Sequence, residues 1–179
     1  GNDTYLNNLT TAINNLRVGG NVGNTLVSDL MSSTNRVQIV RGNNTADING
    51  AFIKWNPNST AGGINAIGSE NRPSYIGLGH EMAHIQDVWN GTIDNSTWVT
   101  AGGVAIPNSE KYATHIENQL RAENGILLRT HYGIDASTGT RVGLESTRIV
   151  RGVTSLCYWK SNGIATNGIP VLSTPFIYR

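Results

Sequence analysis

Leu6, Leu9, Ile13 and Leu16 recur at spacings of three and four between Asp3 and Leu16, the signature of one apolar helix face, with Asp3 as a candidate N-cap and Gly19-Gly20 as the stop. A second helix is expected from Asn24 to Ser32, carrying Leu26, Val27, Leu30 and Met31. The period then changes. Arg36 to Val40 and Ala51 to Trp55 are short β-rich runs across a polar, Asn/Gly-rich segment, and they suit a small antiparallel sheet. Asn56 to Arg72 reads as loop, and Pro73 stands where a helix can begin. A helix is predicted from Ser74 to about Trp89, stopped by Asn90-Gly91 and followed by a Gly/Thr-rich loop. Another is predicted from Ser109 to Glu123, closed by Asn124-Gly125. Beyond Gly133 the signals weaken to strand-like pieces at Arg148 to Val153 and Ser155 to Trp159 and a tail ending in Phe176-Ile177-Tyr178. No repeat or low-complexity tract interrupts the pattern.

A chain of 179 residues is long enough for one domain with its own core. The expectation is a single α+β domain over residues 1–179, with 134–179 a less regular C-terminal extension. With 13 basic against 12 acidic residues and only 14% charged, there is no basic surface of the kind nucleic acid or an anionic membrane requires. No apolar run approaches the roughly 18 to 20 residues of a membrane span, and no signal peptide is visible; a soluble domain is expected. The lone Cys157 cannot form an internal disulfide, so the fold should tolerate a reducing cytosol, and a buried apolar role beside Leu156 and Tyr158 is expected for it. An opening glycine instead of methionine suggests a piece of a larger protein.

Chemistry enters with "GLGHEMAH", residues 77 to 84. Residues on a helix turn by about 100° and rise about 1.5 Å each, so His80 and His84 lie about 40° and one turn apart, placed to grip one ion, with Glu81 beside them. Leu78, Met82, Ile85 and Trp89 form an apolar stripe behind them, and Gly77 leaves room one turn earlier. A catalytic zinc ion usually takes three protein ligands and keeps a fourth position for water. In the extended HExxHxxGxxH pattern the third ligand would fall at Asn90 and the glycine at Asp87, so a carboxylate from a later helix is the remaining route.

The helix from Ser109 to Glu123 offers Glu110, Glu117 and Glu123. Glu110 sits at the N-terminal end, where the helix dipole already accounts for an acid. Glu117 borders the line of Ala113, Ile116 and Leu120 and is the expected third ligand, with Glu123, on the opposite border, next; an ordinary Glu117 to Arg121 pair is the structural alternative. Asp87 projects from the histidine side and is a candidate to orient a ligand imidazole, or else a surface aspartate. His115 lies off its helix's apolar line and is expected to be solvated, while His131 is left open. Tyr132 is a candidate donor to a developing oxyanion, or a buried tyrosine.

The stretches "RPSYIGLGHEMAHIQDVWNGT", residues 72 to 92, and "IENQLRAENGILLRTHYG", residues 116 to 133, resemble the NleD-like zinc metallopeptidase effectors. The shared features are Arg72-Pro73, His80-Glu81, His84, Asn90-Gly91, Glu117-Asn118, Arg121, Arg129 and Tyr132. These effectors are bacterial toxins secreted into host cells, whose best-known member cleaves mitogen-activated protein kinases; related domains end large Rhs-type polymorphic toxins. The resemblance covers about the central third of the chain and supports Glu117 as a ligand.

It implies a zincin-like fold and a secreted or delivered zinc endopeptidase, with a protein substrate in the target cell and a parent toxin as a candidate delivery partner. The expected assignment is one Zn2+ held by His80, His84 and Glu117, with Glu81 as the general base. An edge strand of the small sheet is expected to hold an extended peptide. A zinc amidase acting on cell wall, or a non-catalytic binding module with a vestigial site, are the alternatives.

Overall fold

The computed structural model describes residues 2–150. Its order is α1 (Asn2–Gly19), α2 (Asn21–Ser32), β1 (Gln38–Arg41), β2 (Thr45–Ala46), β3 (Phe52–Trp55), α3 (Ser74–Trp89), β4 (Thr97–Ala101), β5 (Val104–Pro107), α4 (Ser109–Glu123), β6 (Ile134–Asp135) and β7 (Val142–Gly143), closed by a 3-10 turn at Glu145–Thr147. The architecture is α+β. The strand-like piece at Arg148 to Val153 extends past the described residues, and the piece at Ser155 to Trp159, with Cys157, and the apolar tail lie wholly outside them.

The apolar positions read from the sequence converge on one core. Leu16 of α1, Leu26 and Val27 of α2, Ile53 and Trp55 of β3, Ile76, Leu78 and Ile85 of α3, and Leu120 of α4 are all essentially inaccessible to water. α3 lies at the centre of this packing, against α4 most extensively and also against α1, α2, β2 and β3. Leu6 and Met31, read as apolar-face residues, are exposed instead.

The first sheet is mixed, which corrects the antiparallel expectation. β3 lies in the middle, parallel to β1 (Gln38 opposite Phe52) and antiparallel to β2 (Thr45 opposite Lys54). The cause is the polar segment between the two β-rich runs: it contains β2, so the chain reverses twice and returns parallel to its starting direction. β2 is left as an edge strand against α3.

The Gly/Thr-rich loop is in fact a hairpin. β4 and β5 pair antiparallel with a bulge between Thr97 and Val99. They turn at Gly102 and Gly103, whose φ values of 57° and 79° suit a two-residue turn that favours glycine at both positions.

Candidate active site

Pro73 opens α3 with a fixed φ of −59°, and Asn90-Gly91 closes it, the Asn90 backbone N–H donating to the Gln86 carbonyl and that of Gly91 to the Val88 carbonyl. The helix between is buried almost all round. Its apolar stripe enters the core, and His80, Glu81 and His84 on the opposite side are each no more than 9% exposed because α4 and the loop after it cover them.

Nε2 of His80 lies 3.2 Å from Oε2 of Glu110, and Nε2 of His84 lies 3.3 Å from the same oxygen. These three residues are the group whose ligand atoms all lie within 4.8 Å of one another among the described residues. Zinc bonds of about 2.0 to 2.1 Å in a tetrahedron separate adjacent ligand atoms by about 3.3 Å, so the donor set and its spacing fit that ion.

Burial disfavours charge on His80, yet Glu110 and Glu117 together draw its pKa up to about 9. Burial likewise opposes ionisation of Glu110, but hydrogen bonding and charge from the two imidazoles hold it well below the usual carboxylate range.

Glu117, the expected third ligand, approaches His80 from the other side of the ring. Its Oε2 lies 3.0 Å from Nδ1 of His80, a close charge contact without the alignment of a hydrogen bond. Its side chain is fully buried and takes three guanidiniums: Nη1 of Arg72 donates to Oε2 at 2.6 Å, Nη1 of Arg129 to Oε2 at 3.2 Å, and Nε of Arg121 to Oε1 at 2.9 Å. Burial opposes its ionisation, and Arg72 foremost, with Arg129, overcomes this and keeps the carboxyl well below its ordinary range. The Glu117–Arg121 pair read from the sequence is therefore real, but it is one edge of a larger cluster.

Gly62 and Gly63 let the chain lie directly on that cluster. A Cβ at Gly62 would come within 2.6 Å of Cδ of Arg72, and one at Gly63 would overlap Arg129. The room that Gly77 leaves is taken by Asn44 and Arg72, whose nitrogens would stand 2.9 and 3.1 Å from an added Cβ.

The other candidates are placed as follows. Glu123, the second choice of ligand, accepts the backbone N–H groups of Val22 (2.7 Å) and Gly23 (3.2 Å) at the start of α2, far from ligand duty. Asp87 is buried, which removes the surface alternative, and accepts the Thr92 hydroxyl at 2.6 Å; burial raises its pKa, while Thr92 and the His84 charge oppose the rise. His115 is buried beside Gln119, not solvated, because α4 is covered by both α2 and α3. His131 is buried too, with Glu145 3.4 Å from its Nε2.

Tyr132 has Arg129 stacked 4.6 Å from its ring centre and Trp98 of β4 edge-on at 6.4 Å; burial foremost, then Glu110, raises its pKa. Burial also raises the pKa of Glu81, with both histidine charges opposing. No local pattern signals the Trp98 support, because the strand that carries it lies in a segment whose Gly/Thr-rich composition reads as loop. Glu110 stands at the N-terminal end of α4, where the helix dipole by itself accounts for an acid. The usable signal was its spacing of seven from Glu117, which on a helix returns to the same face after two turns.

The cleft has two arms that share Asn44, His80, Glu81 and Tyr132. One, about 320 Å³, runs past β2 and Glu110; the other, about 330 Å³, runs past Gly62, Gly63, Arg72 and Arg129. The pattern of peptidase family M91, described as an effector protein, matches residues 2–132. The chain belongs to this family. Membership places it among peptidase effectors, in agreement with the NleD-like resemblance. The match begins with α1 and ends at Tyr132, so it takes in every side chain of the cluster described above. No curated protein and no solved structure matches the chain. Among the described residues no helix is long and apolar enough to cross a membrane.

Proposed function

We propose that this chain is a zinc-dependent endopeptidase that hydrolyses a protein of the cell into which it is delivered. In this reading His80, His84 and Glu110 are the ligands, and Glu117 positions His80. The observation that carries it is the meeting of two imidazole nitrogens and one carboxylate oxygen at the junction of two cleft arms, with Glu81 beside them.

The bound ion would act as a Lewis acid on a water molecule and on the scissile carbonyl. Glu81 takes the proton from the water and passes it to the leaving amine; its burial-raised pKa suits a group that must both accept and return a proton. Tyr132, kept protonated at neutral pH, donates to the carbonyl oxygen as negative charge develops there. Glu117, fixed by three arginines, holds the His80 ring from Nδ1 so that Nε2 faces Glu110. The free edge of β2 lies along one arm, where an extended peptide can add as a further strand.

Elemental analysis of zinc per chain tests the ligand set. Near-stoichiometric zinc is expected in the wild type, with a clear loss in Glu110→Ala and in His80→Ala. Zinc retained in Glu110→Ala but lost from a folded Glu117→Gln chain would return the third ligand to Glu117. Incubation with a protein panel and with peptidoglycan separates a peptidase from a cell-wall amidase; release of peptidoglycan fragments with the proteins left intact would reject the peptidase reading.

A further inference from the structure

The arm of the cleft that runs past Arg72 and Arg129 carries a charge arrangement that zinc binding and hydrolysis do not require. Three guanidiniums, Arg72, Arg121 and Arg129, surround one carboxylate, Glu117. Two positive charges are thus left over within the cluster. The carboxylates nearby are otherwise committed: Glu81 and Glu110 belong to the reaction centre, and Glu70, at the rim of this arm, is held by Arg141 at 2.9 Å.

Arg129 is fully engaged, by Glu117 and the carbonyls of His131 and Tyr132, but the other two guanidiniums are incompletely satisfied. Nε of Arg72 and Nη2 of Arg121 are buried without a hydrogen-bond partner among the described residues. The Arg72 side chain is only 7% exposed, and just one of its nitrogens, Nη1, is engaged, by Glu117. An unpaired buried donor is costly, and a charged one more so. Such an arrangement persists where a ligand completes it.

We propose that this arm is a subsite for an anionic side chain of the substrate, held chiefly by Arg72, so that cleavage occurs at a fixed distance from an acidic residue. The inference rests on the peptidase reading above and adds the substrate's chemistry. The arm, about 330 Å³, is lined by both Arg72 and Arg129 and opens directly onto His80, Glu81 and Tyr132, so an occupant there is next to the reacting bond. A guanidinium edge takes a carboxylate or a phosphate through paired hydrogen bonds. A neutral amide of the same shape would leave the two surplus charges unanswered.

The test uses randomised acetylated hexapeptides with one position fixed as Asp, Glu, phosphoserine or Asn. Capture on the Glu81→Gln protein reads binding without turnover; digestion by the wild type reads cleavage. Capture of Asp, Glu or phosphoserine peptides about tenfold over their Asn counterparts is expected, weakening as salt rises and largely lost in Arg72→Lys. The Asp and Glu arms against the phosphoserine arm tell a carboxylate from a phosphate. Equal capture of acidic and Asn peptides, or capture of neither up to millimolar concentration, would overturn the subsite. Because salt dependence is read on protein with an intact Arg72, the result stands even if the Arg72 variant fails to fold. Digestion without acidic preference would overturn the subsite and leave the peptidase intact. Acid-selective capture with no digestion by the wild type would reject the peptidase and keep the subsite.

Discussion

Glu110 and Glu117 occupy the same face of one helix and touch the same imidazole, yet they differ in what their loss should do. Removing the Glu117 carboxylate leaves three buried arginines without their shared anion, so Glu117→Gln should cost about 3 to 5 kcal/mol of stability, measurable by urea unfolding. A loss below about 1 kcal/mol would show that the cluster is not held by Glu117. Glu81 has no comparable ion-pair partner among the described residues, and the role proposed for it is proton transfer. Glu81→Gln should therefore keep its metal and its melting temperature while losing roughly 10²- to 10⁴-fold in turnover, and hydrolysis at the wild-type rate would reject Glu81 as the base.

The His80 and Glu110 pair also sets a pH dependence. His80 rises from an ordinary 6.5 to about 9; its stabilisation of the metal-free chain is complete below about 6.5 and fades as pH climbs through 9. Glu110 falls from 4.5, so its contribution is present above that value and is lost as pH drops through its lowered pKa. Between the two, the pair stabilises the metal-free chain most. Zinc must displace the His80 proton, so its apparent affinity should increase with pH up to about 9, by as much as about tenfold per unit. Calorimetric titrations from pH 6 to 9 would check this, and a flat profile would contradict it.

Helices α3 and α4 were readable to their end residues because their start and stop signals are local: Pro73 and Asn90-Gly91 for one, Asn124-Gly125 for the other. The sheet was not, since strand direction depends on the path of the intervening chain, and β2 contributes only two residues to it. The hairpin had a legible turn in Gly102-Gly103, but its short strands, TWVTA and VAIP, alternate too weakly to betray a buried face. Helix approach is likewise a tertiary property. At Gly23 of α2 an added Cβ would overlap the backbone oxygen of Leu16 in α1, which cannot rotate away. Gly23→Ala should therefore destabilise the fold by about 1 to 3 kcal/mol, despite alanine's better helix propensity. A stability equal to or above the wild type would show that the two helices can move apart.

The proposed ligands come from two helices that enclose the core, so metal binding should be felt by the whole domain. An ion that binds only the folded chain adds about 2.7 kcal/mol when present at a hundred times its dissociation constant. Zinc should accordingly raise the melting temperature and a chelator lower it, and Glu110→Ala should abolish the difference; an equal zinc shift in that variant would point to other ligands.

The HExxH spacing, the helix ends and the apolar stripes follow from local geometry, so the sequence alone sets the face that carries both histidines, the acid beside it and the presence of a core. Which carboxylate meets the histidines depends on how α4 is turned and shifted against α3. Glu110 and Glu117, seven residues apart, are equivalent on a helical wheel. Only packing places one at Nε2 of His80 and the other at Nδ1, and only packing brings Arg72 and Arg129 from separate stretches of chain to join the local Glu117–Arg121 pair around a single buried anion.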